Sequence, residues 1–188
     1  MSTDLIDAFA KKYESLAGIA HVADDADAVV PIVLEVLKEV DCKRVVLAEL
    51  PNELHEAIVT ACGAAGIDVL QQPFDNRELP HSIDAAEVGV SWAAFAVAES
   101  GSLVEFALDD AVRLVSTLPR IHIGIFKAST LLENLMDAAE PLRQFYIDYP
   151  QDATATFISG PSRTADIEMR LTLGVHGPEV AHAIVLQT

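Results

Sequence analysis

The sequence predicts an α/β fold: a mostly parallel sheet covered by helices on both faces, three layers in all, with an antiparallel hairpin added to the sheet. Three observations lead there. Compact apolar runs at 44–48, 67–70, 121–126 and 180–186 alternate with segments of helical period, the order that builds parallel strands joined by crossover helices. These runs are apolar throughout rather than at every second residue, the pattern of strands buried on both faces. Ser100-Gly101 separates two β-rich runs, 94–99 and 102–106, which read as the hairpin. At 188 residues, 51% of them hydrophobic, the chain has the size of a single domain with one substantial core.

In chain order, a first helix is expected over 3–17, where Leu5, Phe9, Tyr13 and Leu16 recur at helical spacing, capped by Ser2 or Thr3 and stopped at Gly18. A short extended piece, 19–22, precedes Asp24-Asp25-Ala26-Asp27, whose charges suit the opening turn of a second helix reaching Val40. After the strand at 44–48, Pro51 opens a helix to Ala65, and Gly66 leads into the strand at 67–70. Residues 72–80 are polar, with proline near both ends, and form a surface loop. Residues 91–94 are expected to make one helical turn before the hairpin. Leu118-Pro119 breaks any helix begun at Ala111. Ser129 is expected to cap a helix to about Ala139, a further helical piece follows Pro141, and a strand begins at Thr154. No internal repeat, low-complexity tract or domain linker interrupts this order.

Composition excludes several function classes. A formal net charge of −17 opposes nucleic acid and anionic membranes, because the phosphate term would be repulsive over most of the surface. The longest apolar run, near 88–98, is too short to span a bilayer, and the acidic start Met1-Ser-Thr-Asp4 has no signal-peptide character. A soluble cytoplasmic protein is expected. Cys42 and Cys62 lie twenty residues apart with no C-x-x-C, so neither an iron–sulfur cluster nor a structural zinc site is expected from this chain's thiolates, and both read as packing residues. His55-Glu56 lacks the second histidine of a zinc-protease helix, and His81, Asp84 and Glu87 lack a fourth ligand, so no metal site is assigned. No Walker loop, G-x-G-x-x-G or Ser-His-Asp arrangement is visible, and no cofactor is expected.

Residues 159–178 carry the strongest local signal. A β-branched approach meets Ser159-Gly160-Pro161-Ser162, and 163–173 then has helical spacing, with Ile167 and Leu171 one turn apart. A helix opening from such a loop directs N–H groups at an anion, and Arg163 adds a fixed charge. Gly174-Val-His176-Gly177-Pro178 closes the helix and sets an imidazole between two glycines. The segment admits two readings, an anion seat or two ordinary connections of an α/β domain. Asp166 and Glu168 suit the first turns of the helix. Arginines fall mostly after residue 88, five against two before it, and arginine grips carboxylate or phosphate through paired bonds. The plainer alternative is that Arg113, Arg120, Arg143 and Arg170 pair with carboxylates. His122, between Ile121 and Ile123, is either a pocket residue or a packed, hydrogen-bonded histidine.

The blocks Ser159-Gly-Pro-Ser-Arg-Thr-Ala-Asp-Ile-Glu168 with Leu173-Gly-Val-His-Gly-Pro178, Phe95-Ala-Val-Ala-Glu-Ser-Gly-Ser-Leu103, and Arg113-Leu-Val-Ser-Thr-Leu-Pro-Arg-Ile-His-Ile123 together resemble the LUD family, the LutC/YkgG-type lactate utilization proteins. The likeness runs from about residue 88 to the C-terminus. It implies a single LUD-type domain over 1–188 with a NagB/RpiA/CoA-transferase-like architecture. It implies also a component of a system oxidising L-lactate to pyruvate, working beside iron–sulfur oxidoreductase subunits. The larger relatives it suggests carry a cysteine-rich ferredoxin-like region that this chain lacks. The candidate ligand-binding set for a small anionic metabolite is Ser159, Gly160, Ser162, Arg163, Thr164, His176, Gly177, Arg113 and His122. Glu99, in Glu99-Ser-Gly101, is similar to the Glu-x-Gly element of class I CoA-transferases, whose carboxylate attacks an acyl-CoA; the competing role is a turn in which it accepts backbone N–H bonds. Whether this chain is itself an enzyme stays open. The alternatives to the lactate reading are a self-sufficient CoA-transferase-like enzyme binding a CoA, folate or sugar-phosphate ligand, and a structural subunit with a vestigial pocket. In open parallel sheets ligands bind beyond the carboxyl ends of strands, where Glu99, Ser159 and Gly160 are expected.

Overall fold

The computed structural model describes residues 3–75, 77–164 and 172–188. The chain opens with α1 (Thr3–Ser15), β1 (Ile19–Ala23), α2 (Ala26–Glu39), β2 (Arg44–Ala48), α3 (Asn52–Ala64) and β3 (Asp68–Gln71). It continues through the short α4 (His81–Asp84), β4 (Val88–Trp92), β5 (Phe95–Val97), β6 (Ser102–Ala107), α5 (Asp110–Val115) and β7 (Ile121–Lys127). Then come β8 (Leu131–Leu132), α6 (Ala139–Asp148), β9 (Thr154–Ile158), β10 (Arg163–Thr164), β11 (Thr172–Leu173) and β12 (Val180–Leu186). Six strands form an all-parallel sheet in the order β1-β12-β7-β4-β2-β3, and four form a second, mixed sheet in the order β8-β5-β6-β9.

The two faces of the parallel sheet differ in bulk. One carries Val88, Val90, Ile121, Ile123, Ile125, Ile184 and Leu186, which pack under α2 and α3 through Val29, Val33, Leu37, Leu54 and Ile58. Burying each such side chain contributes about 1.5–3 kcal/mol, so this face is the main source of cohesion. The opposite face carries Gly89, Ser91, His122, Gly124, Ala181 and Ala183 in register. Its small residues let the second sheet and α1 approach, with Leu103 of β6 over Gly124 and Phe9 and Tyr13 of α1 packing with Phe126 and Val185 of the same face. The third layer is therefore composite, α1, α4 and α5 beside a sheet, and α6 covers that sheet's outer side by stacking Phe145 on Phe106.

Most elements fall where the residues place them. Asp25 caps α2, its carboxylate accepting the N–H of Ala28 at 2.9 Å, and Cys42 and Cys62 pack in the core under α2 and α3. Four expectations are corrected. Residues 91–94 make no helical turn: Ser91 and Trp92 extend β4, pairing with Gly124 and Ile125. The stretch 128–138 is not a helix but a 3-10 turn, β8 and a second 3-10 turn, because Leu131 and Leu132 gain a ladder with Ala96 and Val97 that outweighs helix propensity. The hairpin and the Thr154 strand build the second sheet instead of extending the first. Arg163 and Thr164 begin no helix: they pair antiparallel with Leu173 and Thr172. The interior of that expected helix, with Asp166, Ile167, Glu168, Arg170 and Leu171, lies outside the described residues.

Two glycine substitutions should shift stability in opposite directions. A Cβ on Gly89 would strike the backbone carbonyl of Val115, whereas one on Gly63, inside α3, would meet nothing within 4 Å. Gly89→Ala should destabilise by about 1–3 kcal/mol and Gly63→Ala stabilise by about 0.5–1 kcal/mol. Urea denaturation of the two variants checks the signs, and a neutral Gly89→Ala would show that the two layers are not in close contact.

Candidate functional site

The motif segments meet at the amino-terminal edge of the parallel sheet. Gly160 lies against the end of α1, where a Cβ would come within 2.9 Å of the Leu16 carbonyl, and its φ of 98° is closed to most side chains. Ser159 joins Ser102 Oγ at 2.7 Å, and Ser102 donates to Ser100 at 2.8 Å, so hydroxyls tie the 159–162 loop to the hairpin. On its other side Ser162 donates its N–H to Pro178 O (2.9 Å) and accepts from Gly174 N at its carbonyl (3.0 Å) and His176 N at its hydroxyl (3.3 Å). Gly177 lies beside Ser162 and approaches the Thr117 carbonyl. A cleft of about 390 Å³ opens here, lined by Thr117, Leu118, Arg120, Gly174 to Gly177 and Glu179.

Thus Ser162, His176 and Gly177 come together, with Arg163 and the backbone of Thr164 following in β10. Ser159 and Gly160 lie on the hairpin side of the same loop. The expectation of carboxyl ends in a parallel sheet is corrected: the strand before Ser159 is antiparallel to β6, and the turns in the cleft precede β7 and β12. Glu99 stands apart, its carboxylate accepting the N–H of Leu135 at 2.7 Å beside a cleft of about 560 Å³ that also touches Asp4, Leu5 and Asn134. Arg113 bonds to Asp110, Arg120 to Glu179 and Arg143 to Glu140. Arg163 is exposed and makes no ion pair with any described residue.

His122 belongs to a different constellation, buried between the two sheets. Ser91 Oγ bonds to Glu105 Oε1 and to His122 Nε2 (2.7 Å), and His122 Nε2 lies 3.4 Å from Glu105 Oε1. All three residues are at most 2% exposed. A carboxylate accepts only, so the Ser91 hydroxyl donates to Glu105 and must accept from His122 Nε2–H. That polarity is the reverse of a hydrolase triad, in which the histidine takes the serine proton. Ser91 is consequently a bridge and no nucleophile. Burial pushes the Glu105 carboxyl up, but His122 and the hydrogen bond from Ser91 hold it below the ordinary carboxylate value. Burial and the Glu105 charge both raise the nearby Tyr13 phenol. Tyr13 Oη, Glu105 Oε2 and His122 Nδ1 are buried and make no hydrogen bond among the described residues.

Sequence reasoning singled out His122 and missed Ser91, Glu105 and Tyr13. A usable signal existed: in the strand Ser102–Ala107, position 105 shares a face with Leu103 and Ala107, and a lone acid on an apolar face calls for a partner. Both thiols are buried, and burial with the Glu87 charge pushes Cys42 up to about 12 while burial raises Cys62. Among the described residues no cluster of three or more His, Cys, Asp and Glu could hold a metal ion, and no helix is long and apolar enough to cross a membrane.

The architecture is an α/β fold with a mostly parallel sheet, helices on both sides and a mixed second sheet. A crystal structure of a DUF162 family protein from Deinococcus radiodurans superposes with a TM-score of 0.70 at 19% identity, covering 99% of each chain. The family model of the LUD domain matches residues 6–186, and the chain belongs to that family. Similar curated proteins include lactate utilization protein C of Shouchella clausii, 42% identical over 60% of this chain and 51% of the relative. Lactate utilization protein C of a Geobacillus species is 34% identical over 76% and 55%, and that of Bacillus subtilis 36% over 55% and 43%. The chain spans about half the length of the curated relatives it matches.

Glu105→Gln should cost about 1.5–3 kcal/mol at neutral pH, because it replaces the buried carboxylate that accepts from Ser91 with an amide. The folded carboxyl titrates below its unfolded value near 4.3, so its contribution is complete above that value and is lost as pH falls through the folded one. Urea denaturation of parent and variant between pH 7 and 3 should show a gap that narrows below about pH 4. A gap that widens as pH falls toward 4 would mean that Glu105 is neutral in the native protein.

Proposed function

We propose that this chain acts in lactate utilization, as a counterpart of the protein C relatives within a cytoplasmic system that oxidises L-lactate to pyruvate. The observation that carries this reading is the 34–42% identity to proteins of that name, within a family match over residues 6–186. Lactate oxidation releases two electrons, and iron–sulfur partner proteins would carry them. The overall layering also suits the NagB/RpiA/CoA-transferase-like architecture. Deleting the gene from its host should abolish growth on L-lactate but not on pyruvate, and re-expression should restore it. Equal growth of the deletion strain on both carbon sources would remove the lactate reading.

The ligand on this reading is a small anionic metabolite held at the cleft by Ser162, Arg163, Thr164, His176 and Gly177, with Ser159 and Gly160 shaping the loop. Arg163 supports it, being the arginine in this loop with its guanidinium not taken up by a described carboxylate. Arg113 would support the cleft from behind through its carbonyl, which accepts the Thr117 hydroxyl at 2.7 Å, whereas His122 is engaged with Ser91 and Glu105 between the sheets. Glu99 already accepts a backbone N–H, which favours the turn role over acyl-CoA attack. A charge-assisted bond contributes about 1.5–3 kcal/mol. Arg163→Ala and His176→Ala should therefore each weaken lactate or pyruvate binding about ten- to a hundredfold, whereas Arg143→Ala, paired with Glu140 on α6, should change nothing. Calorimetric titration with lactate, pyruvate, phosphate and CoA measures this. Equal affinity of all three variants would sink the anion seat.

A further inference from the structure

Four strands form the edges of the two sheets: β1 and β3 in the first, β8 and β9 in the second. An edge offers unpaired backbone N–H and C=O groups to another chain, and proteins blunt such edges with charge, shortness or a cover. β3 carries Asp68, paired with Arg44, and β8 is two residues long. On β9 the N–H of Ala155 donates to the Tyr146 hydroxyl at 3.2 Å. Among the described residues β1 has none of these devices. Its sequence Ile-Ala-His-Val-Ala carries no acidic or basic residue other than His21, and Ile19 and Val22 are 43% and 46% exposed.

The hydrogen-bond phase of β1 is fixed by its one neighbour. Gln187 N donates to Ala23 O at 2.9 Å, so Ala23 turns its backbone groups toward β12, and by alternation so do His21 and Ile19. Ala20 and Val22 turn theirs outward, and they make no backbone hydrogen bond on that side among the described residues. The outward residues stand symmetrically about His21. A two-fold axis through His21 sets Ala20 opposite Val22 of a second copy, the register in which opposed residues exchange both N–H···O bonds. It also sets Ile19 opposite Ala23 of that copy. Each exposed large side chain then faces an alanine, and no formal like charges are opposed.

We propose that β1 is the contact strand of a homodimer, pairing antiparallel with β1 of a second copy so that the two parallel sheets become one continuous sheet. The occupant is a second copy because the strand is self-complementary in hydrogen-bond phase, in side-chain size and in its lack of carboxylates. Two chains of net charge −17 repel at long range, so the contact is short-ranged and strengthens as salt shortens the screening length. The dimer is isologous, as most homodimers are.

Sedimentation velocity over a concentration series at low and high salt, with amide hydrogen exchange on the same samples, tests this. The expected result is a concentration-dependent dimer, tighter at high salt, with the amides of Ala20 and Val22 protected only where the dimer is populated. Val22→Lys puts a charge on the edge, and Ala20→Pro removes an outward N–H that the β1–β12 ladder does not use. Each variant should weaken association at least tenfold while melting like the diluted parent. A chain that stays monomeric at every concentration overturns the proposal, as does a dimer that both variants form as well as the parent. Protection of Ala20 and Val22 that appears only when a different protein is added gives the strand another occupant and overturns it too.

Discussion

The structure depends on a patch of small residues at the centre of one face of one sheet. Gly89, Ser91, Gly124, Ala181 and Ala183 leave the middle of the parallel sheet without bulk on the side opposite α2 and α3, and a second sheet lies there in place of a full helical layer. Close approach brings Leu103 over Gly124 and the α5 carbonyl of Val115 over Gly89. It also forces the polar groups at the seam to satisfy one another, since water is excluded and an unpaired buried charge is costly. Glu105, Ser91 and His122 are that solution. The cluster is thus a consequence of the packing before it is a candidate for chemistry, and the direction of the Ser91 hydroxyl agrees.

The same constraint explains what the three sequence blocks are for. In the first, Ser102 reaches Ser159 and Gly101 admits the backbone of α1 near Tyr13. In the second, His122 serves the Glu105 carboxylate through Ser91, while Ser116 and Thr117 satisfy a carbonyl at the end of α5. In the third, Ser162 fastens the 159–163 loop to the 174–178 turn. Each block contributes a joint between layers, and the joints fall in sequence next to the residues that form the cleft. Residues that look like one motif therefore divide between holding the second sheet in place and shaping a surface.

Much of this was legible in the residues, and the exceptions share a cause. Helix starts and strand positions over 3–71 follow from capping, glycine stops and apolar runs, all of them local signals. Leu131 and Leu132 left a helical pattern because a strand remote in sequence offered them a ladder, and Ser91 joined β4 because its smallness suits the seam; neither fact is local. The hairpin was visible at Ser100-Gly101, but which sheet it would join was not, since strand pairing is a tertiary choice. His122 was visible as a polar residue in an apolar strand. Its partners were hidden because Ser91 lies in a stretch whose local pattern suits a helical turn, and the face that Glu105 presents depends on which sheet its strand joins.

The position of the cleft sharpens the electrostatic question. In a parallel α/β sheet the helices run opposite to the strands, so helix carboxyl ends collect where strands begin. At this edge lie the end of α1, at Leu16, and the end of α5, whose carbonyls receive the Ser116 and Thr117 hydroxyls. Helix carboxyl ends carry partial negative charge and disfavour an anion. A net charge of −17 acts in the same sense. Among the described residues no helix start compensates at this edge, since Arg163 opens a strand. Any anion held there must rely on the guanidinium of Arg163, the imidazole of His176 and the loop N–H groups at contact distance. Affinity at such a seat would rest on few groups, each removable singly, and would fall with each one far more steeply than at a seat built on a helix amino end.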